Sequence, residues 1–171
     1  YAWNINGFKS DEAWKEGIVR LYPQAAEAMQ AFVDHNSDQG PNGHGYRREE
    51  SVNIAPVVNR VLEAAREGKV VKSDTDLLKK EFSRMAAAAP VIREKVDNPR
   101  LMKEIGAWVD AFEQLGMAGQ HAVAALESSN PKAAVTNLVK ATQALAAMDR
   151  ISQQHNQQGQ LYRSAVKTGS R

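Results

Sequence analysis

Neighbouring carboxylates are the first residues in this chain that could carry out hydrolysis. A glycosidase commonly holds two acids about 5–10 Å apart around the bond that it cleaves. The adjacent acids here are Asp11-Glu12 and Glu49-Glu50, and no two aspartates are neighbours. The first pair suits the positive start of a helix, and the second suits a helix start or salt bridges with the preceding arginines. We therefore assign no catalytic residue to this chain.

Two groups of residues are of the types that bind metals: the acidic residues and asparagine at positions 34–38, and the four histidines. Asp34, Asn36 and Asp38 have the opening spacing of a calcium loop. That loop then requires glycine and glutamate where this chain has Gln39 and Gly45. The four histidines lack a clear ligand spacing on any one predicted helix. We expect neither a metal nor a cofactor.

The stretch His35–Ser51 is the part of the chain that helix packing does not explain. It contains the turn dipeptides Gly40-Pro41 and Asn42-Gly43, and its His44 lies between two glycines. A histidine in that position is poorly placed for core packing. It is either exposed, or part of the loop's own structure, or directed at a ligand. We expect a structured loop, because long loops in compact chains are usually functional or disordered and this one is rich in turn chemistry.

Most polar residues of this loop have types that hold a loop in shape. Asp and Asn side chains bond nearby backbone N–H groups and fix turns. Arginine can bind a carboxylate through two parallel hydrogen bonds and so order two segments at once. We assign this loop-structuring role to His35, Asn36, Asp38, Arg47, Arg48, Glu49 and Glu50.

The rest of the chain predicts an all-α fold. We expect an antiparallel bundle of three long helices, preceded by two or three shorter helices and the structured loop. Ser73, Asn98-Pro99 and Asn130-Pro131 are helix-start signals. Apolar residues alternate at spacings of three and four along the long helices, which is typical of bundle packing. In the last helix this pattern predicts buried Val135, Leu138, Ala141, Leu145 and Met148, and in the helix before it a buried Trp108.

Composition excludes several classes of function. The net charge is +2, from 22 Lys+Arg and 20 Asp+Glu, which is no footprint for nucleic acid. No apolar run approaches the roughly 20 residues that span a bilayer. There is no cysteine, so neither disulfides nor thiolate chemistry are expected. From Gln153 onward the chain is polar, and we expect this end to fray.

The loop motif also carries a resemblance to a known family. The runs His35-Asn36-Ser37-Asp38, Gly40 to Tyr46 and Arg47 to Ser51 resemble the segment that follows the catalytic barrel in bacterial family 84 glycoside hydrolases. These enzymes are β-N-acetylglucosaminidases, also described as hyaluronidases or O-GlcNAc hydrolases. Tyr1-Ala2-Trp3-Asn4 is similar to the point where that family leaves its barrel, so the resemblance covers nearly the whole chain. Gln39 departs from it, since an aliphatic residue is expected there.

The resemblance implies a division of the chain and a role. Residues 1–9 would leave a missing barrel, residues 10–156 would form the helical domain with loop 35–51, and residues 157–171 would link to a missing C-terminal region. The domain would pack on the barrel and complete its cleft. His44, with Asn42 and Tyr46 as weaker candidates, would lie at the substrate rim. The loop would leave the bundle at the end where the chain enters.

The resemblance also implies the parent reaction and its setting. The barrel would hydrolyse terminal β-linked N-acetylglucosamine in glycoconjugates, using the substrate's own acetamido group as the nucleophile. The parent protein would be secreted or periplasmic. The alternative is an independent helical module for interaction or dimerisation, which an apolar face left exposed by the bundle would favour. A homodimer therefore stays open.

Overall fold

Six α-helices make up the described part of the chain. The computed structural model describes the backbone of residues 10–37 and 54–168 and the side chains of residues 15–35 and 54–155. No strand occurs among these residues, which confirms the all-α fold with three long helices after three short ones. The helices are α1 (Ser10–Leu21), α2 (Ala26–Ser37), α3 (Ile54–Arg66), α4 (Lys72–Lys95), α5 (Pro99–Leu126) and α6 (Pro131–Thr168).

Two asparagines start the last two helices, as the sequence predicts. The Asn98 side chain accepts a hydrogen bond from the Leu101 N–H at 3.0 Å, with Pro99 in the first helical position. The Asn130 side chain accepts one from the Lys132 N–H at 3.0 Å. Each bond satisfies a backbone donor that the helix itself leaves unpaired.

The other short connection is built differently from the prediction. Gly68 has a φ of +70° just after α3, a conformation that glycine adopts at little cost. The predicted cap at Ser73 is wrong, because α4 already begins at Lys72. Val71 occupies the cap position and makes no side-chain cap bond.

Helices α4 and α5 run antiparallel along most of their length. Arg93, near the end of α4, donates to Asp110 at 2.8 Å and to Glu113 at 2.7 Å, both before or near the middle of α5. At the opposite end, Thr75 lies 3.2 Å from the carboxylate of Glu127. These contacts confirm the antiparallel course that short connections require.

The hydrophobic core is formed by α1 to α5. Ile92 and Val109 are completely buried, and Phe112 is nearly so. Helices α2 and α3 both pack on α4, while α1 packs on α2. Among the described side chains, none from α6 belongs to this core.

Helix α6 packs along α5 and buries alanines, of which the spacing predicts only Ala141. Ala141 and Ala144 are buried, whereas Val135, Leu138 and Leu145 are 60%, 52% and 45% exposed. The expected inward face is therefore wrong for Val135, Leu138 and Leu145, whereas Ala141 is buried and Met148 is half-buried. Small side chains on both helices allow closer approach than leucine would, and Ala118 and Ala125 of α5 are buried as well.

Two further expectations fail in α5 and α6. Trp108 is 45% exposed, so its predicted place in the core is wrong. Its ring instead meets the edge of His155 at a centroid distance of 5.2 Å. The predicted fraying from Gln153 is also wrong, because α6 continues to Thr168. Whether residues 157–171 link to a further domain stays a prediction.

Candidate functional site: the frame around the loop

The central part of the predicted site falls on residues 38–53, which lie outside the described residues. This applies to the substrate-rim candidates and to most loop-structuring candidates. Asn36 lies in α2, but its side chain is also outside the described set. The roles of these residues stay predictions. They are His44, Asn42, Tyr46, Asn36, Asp38, Arg47, Arg48, Glu49 and Glu50.

His35 belongs to the last turn of α2, so the loop begins later than predicted. The helix extends to Ser37. The His35 ring is half-buried and lies 5.3 Å from the Phe112 ring of α5, tilted by 44°. Phe32, one turn earlier, packs against the same Phe112 ring in an edge-to-face arrangement, with 5.5 Å between the ring centroids. Aromatic pairs favour this edge-to-face arrangement, so the end of α2 is fixed against α5.

Asp34 fixes the same end of α2 to α4. Its carboxylate accepts a hydrogen bond from Gln30 at 2.6 Å and lies 4.0 Å from Arg84 of α4. Arg84 also pairs with Glu81 at 3.1 Å. The side chains of Asp34 and Glu81 are only 9% and 11% exposed, so both carboxylates share one arginine in a largely dry place. Burial of carboxylates requires such pairing.

Sequence reasoning missed this cluster, although a signal was present. Glu81 follows Leu78 by three residues and precedes Met85 by four, so it lies on the apolar face of α4. A charge on such a face is informative, because buried charges are paired or functional. Asp34 was considered only for the spacing of a calcium loop. Its helical position and its partners give it a structural role instead.

The residues that follow the loop are anchored through α3. Arg60 forms two hydrogen bonds with Asp74 of α4, at 3.0 and 2.8 Å. The hydrogen bonds from Arg60 lower the pKa of Asp74, and the same bonds raise the pKa of Arg60. Val57 and Val61 are buried on the same side of α3. A two-bond pair of this kind sets orientation as well as distance.

The two ends of the undescribed stretch lie at a similar level along α4. Helix α3 runs antiparallel to α4, because only residues 67–71 connect them. Near the end of α2, Asp34 meets Arg84 of α4, and Arg60 of α3 meets Asp74. Ile54 lies six residues before Arg60, about 9 Å back along the helix at 1.5 Å per residue, which places it near the level of Lys80. The stretch therefore leaves and rejoins the bundle near the middle of α4. Whether this is the end where the chain enters stays a prediction, because residues 1–9 and 38–53 lie outside the described part of the chain.

Another ionic cluster joins α4 to the end of α5. The Glu127 carboxylate accepts hydrogen bonds from Lys72 at 3.2 Å and Lys79 at 3.3 Å, and the buried Thr75 hydroxyl lies 3.2 Å away. The Lys72 bond is the largest cause that lowers the pKa of Glu127. Thr75 also lies 3.1 Å from the Lys72 carbonyl oxygen. This cluster is a structural clamp between helix ends.

An apolar groove of about 820 Å³ lies between α1, α2 and α4. Its floor is made of small side chains, including Ala28, Ala31 and Ala88. Val19 of α1 and Val91 of α4 line it and remain 54% and 36% exposed. The groove is open to solvent and mostly apolar, although Gln24, Glu27, Gln30 and Arg84 also line it. Such a surface suits contact with another largely apolar surface.

A second apolar surface lies on the outer face of α6. Val135, Leu138, Val139 and Leu145 are each between 45% and 60% exposed. Thr142 lies among them, and its hydroxyl donates to the Leu138 carbonyl oxygen at 2.9 Å. That bond leaves the threonine methyl group on the surface. The outer face is the kind of apolar face that the interaction alternative requires.

The described residues contain neither a candidate membrane span nor a candidate metal site. Within residues 10–37 and 54–168, no helix is long and apolar enough to cross a membrane. No group of three or more His, Cys, Asp or Glu side chains in the same part of the chain could hold a metal ion.

Comparison with known proteins places this helical frame in a family. The sequence profile of the bacterial GH84 post-catalytic domain matches residues 50–171. The solved structure of CpGH84D has a TM-score of 0.70 with this chain at 27% identity, covering 86% of this chain and 25% of that one. The solved structure of CpGH84B has a TM-score of 0.68 at 19% identity, covering 87% of this chain and 26% of that one. This chain thus spans about a quarter of the length of either structure.

Proposed function

This chain belongs to the bacterial GH84 post-catalytic domains, and from that premise we propose that it is the non-catalytic helical domain of a β-N-acetylglucosaminidase. In this proposal it packs on the catalytic barrel of the same polypeptide and completes the substrate cleft with loop 35–51. The barrel hydrolyses terminal β-linked N-acetylglucosamine by using the substrate's acetamido group as the nucleophile. This chain supplies no acid pair for that reaction.

The observation that carries the cleft role is the fixed frame on both sides of the loop. His35 and Asp34 tie the last turns of α2 to α5 and α4. Arg60 ties α3 to the start of α4 through two hydrogen bonds. A binding loop needs such rigid ends, because a site held loosely loses the geometry that recognition requires. The frame supports a loop that keeps one position relative to the bundle.

His44 is the loop residue whose type best suits a sugar. A neutral imidazole can donate one hydrogen bond and accept another, which matches a sugar hydroxyl. Its protonation changes between about pH 5 and 8, so contact with the sugar would make substrate binding pH-dependent. In this proposal His44 lies at the rim and binds substrate, and the general acid belongs to the barrel. Asn42 and Tyr46 are further candidates for the same rim.

Substitution of His44 in the full-length enzyme tests the proposal. For His44→Ala we expect kcat/KM on a chromogenic β-N-acetylglucosaminide or a GlcNAc-bearing glycopeptide to fall about tenfold, the effect of one lost hydrogen bond. The melting temperature should stay unchanged. His121→Ala, on α5 and outside the loop, is the matched control and should retain activity. Unchanged kinetics of His44→Ala on both substrates would contradict the cleft role.

The family also suggests a setting for the parent protein. We propose that it acts outside the cytoplasm, secreted or periplasmic, on GlcNAc-containing glycoconjugates. The absence of cysteine is compatible with any compartment. Fractionation of the source cells, followed by immunoblotting of the full-length protein, tests this. Recovery in the cytoplasmic fraction alone would contradict it.

The second candidate function is an interaction or dimerisation module, and the outer face of α6 favours it. In that case Leu138 and Leu145 would be buried by a second molecule. Light scattering of the full-length protein would then show a dimer, and Leu138→Glu would return it to a monomer. A monomer at all concentrations, with or without that substitution, would remove this candidate.

A further inference from the structure

We propose that the groove between α1, α2 and α4 is the face on which the catalytic domain of the same polypeptide docks. The inference rests on the proposed packing of the two domains and adds which surface takes part. The groove is apolar and has a volume of about 820 Å³. Its occupant is therefore an apolar surface of the domain that precedes this one.

Helix α1 is the first argument, because its described part has too little packing to be stable alone. Among its described side chains only Ile18 is buried, while Val19 and Leu21 are 54% and 71% exposed. The helix has 12 residues, and isolated helices of that length are marginal in water. Packing on α2 covers one side of α1. A second partner on the side that carries Val19 would add to this packing.

The groove floor is the second argument. It is lined by Ala25, just before α2, by Ala28 and Ala31 of α2, and by Ala87 and Ala88 of α4. Short side chains allow the backbone of a partner to approach closely, and they lose little conformational entropy when covered. The polar residues that line the groove are Gln24, Glu27, Gln30 and Arg84, with one charge of each sign. A neutral apolar surface with polar edges fits this arrangement.

Chain order selects the occupant. The family is defined as following a catalytic domain, and CpGH84D is about four times as long as the part that matches here. The preceding domain is connected through α1, and Val19 of α1 is itself a wall of the groove. The tether therefore keeps that domain at high effective concentration beside this surface. The outer face of α6 lacks this link to α1, because α6 packs chiefly on α5.

Thiol labelling in the full-length enzyme tests the docking face. This chain has no cysteine, so single cysteines can be introduced and read against the labelling of the unsubstituted enzyme. Val91→Cys is compared with Met117→Cys, since those side chains are 36% and 37% exposed. Val19→Cys is compared with Leu62→Cys, at 54% and 50%. All four positions are exposed, so the substitutions leave the core intact.

We expect the two groove cysteines to react with a maleimide at least about tenfold more slowly than their controls, because a covered thiol reacts only when the interface opens. Equal rates in each pair would overturn the proposal. Slow labelling that becomes fast on dilution would also overturn it, since a second copy would then be the occupant. The kinetics of His44→Ala are read separately, so a wrong docking face and a wrong cleft role give different results.

Discussion

At the scale of single residues, Gly116 determines how closely α4 and α5 can approach. A Cβ atom at Gly116 would lie 2.5 Å from the backbone nitrogen of Ala86 and 2.9 Å from the carbonyl oxygen of Phe82. Both are backbone atoms of α4, so relief requires the two helices to separate. Gly106, on the same helix, has no atom within 4 Å of such a Cβ. Close packing therefore requires glycine at position 116, whereas the space around position 106 would accept a side chain.

Replacing each of these two glycines with alanine should have opposite effects on the free energy of unfolding. Gly116→Ala should lower the free energy of unfolding by about 1–3 kcal/mol, because overpacking forces the backbone to shift. Gly106→Ala should raise it by up to about 1 kcal/mol, because alanine favours the helix over the unfolded chain. Urea denaturation of this chain measures both. A neutral or stabilising Gly116→Ala would show that α4 and α5 are not in close contact there.

Glu127 gives a prediction of pH dependence. Its hydrogen bonds from Lys72 and Lys79 lower its pKa in the folded state, so its stabilising effect is full above the unfolded pKa. That effect is lost as the pH falls through the lower folded pKa, that is, below about pH 4.3, the ordinary value for glutamate. Its lysine partners are 69% and 59% exposed, so solvent screening limits the effect to about 0.5–1 kcal/mol.

The variant Glu127→Gln should therefore be less stable than the wild type at pH 7, and the two should converge as the pH falls toward 3. Urea denaturation across this range measures the difference in free energy of unfolding. Glu63→Gln, exposed on α3, is the control and should match the wild type throughout. A difference between Glu127→Gln and the wild type that grows on acidification would contradict the assignment.

At the scale of helices, α6 shows where sequence periodicity stops being informative. Residues 135, 138, 141, 145 and 148 follow a bundle spacing, yet that spacing fits both the inner and the outer face of the helix. Which face of α6 packs inward depends on the surface of α5, the helix on which it packs. Ala118 and Ala125 of α5 are buried, as are Ala141 and Ala144 of α6, so both helices carry small buried side chains. This information lies in α5, so the pattern of α6 alone could not give it.

Substitutions on the two faces of α6 should differ sharply. Ala141→Leu should lower the free energy of unfolding by about 1–3 kcal/mol, because it adds volume to a close alanine contact. Leu138→Ala should change it by less than about 0.5 kcal/mol, since Leu138 is 52% exposed. Denaturation of this chain with each substitution is the measurement. If Leu138→Ala were the more destabilising of the two, Leu138 would be buried as the spacing predicts.

Helix starts were predicted more accurately than helix ends. The caps at Asn98 and Asn130 are confirmed, because cap and proline are neighbours in the sequence. The end of α2 was placed near His35, whereas the helix continues to Ser37 and His35 contacts Phe112 of α5. That contact joins residues far apart in the chain. Local signals cannot reveal it.

At the scale of the whole molecule, the family and the all-α fold were both predictable. The fold follows from helix periodicity, and the family from the turn-rich motif in loop 35–51, while the profile match rests on residues 50–171. The arrangement of short helices on α4 was not predictable. It depends on the ties of Asp34 to Arg84 and of Arg60 to Asp74, which link residues from different helices. The result is a frame that holds one stretch of chain at both ends.

The central claim is that this frame presents its loop to the substrate cleft of the preceding domain. The most direct test replaces residues 38–51 in the full-length enzyme with a glycine-serine segment of equal length, and measures kcat/KM on a β-N-acetylglucosaminide. We expect kcat/KM to fall at least about tenfold, since several polar contacts are removed at once. Cooperative unfolding should be retained. A variant with the kcat/KM of the wild type would contradict the claim, because the loop would then have no part in the cleft.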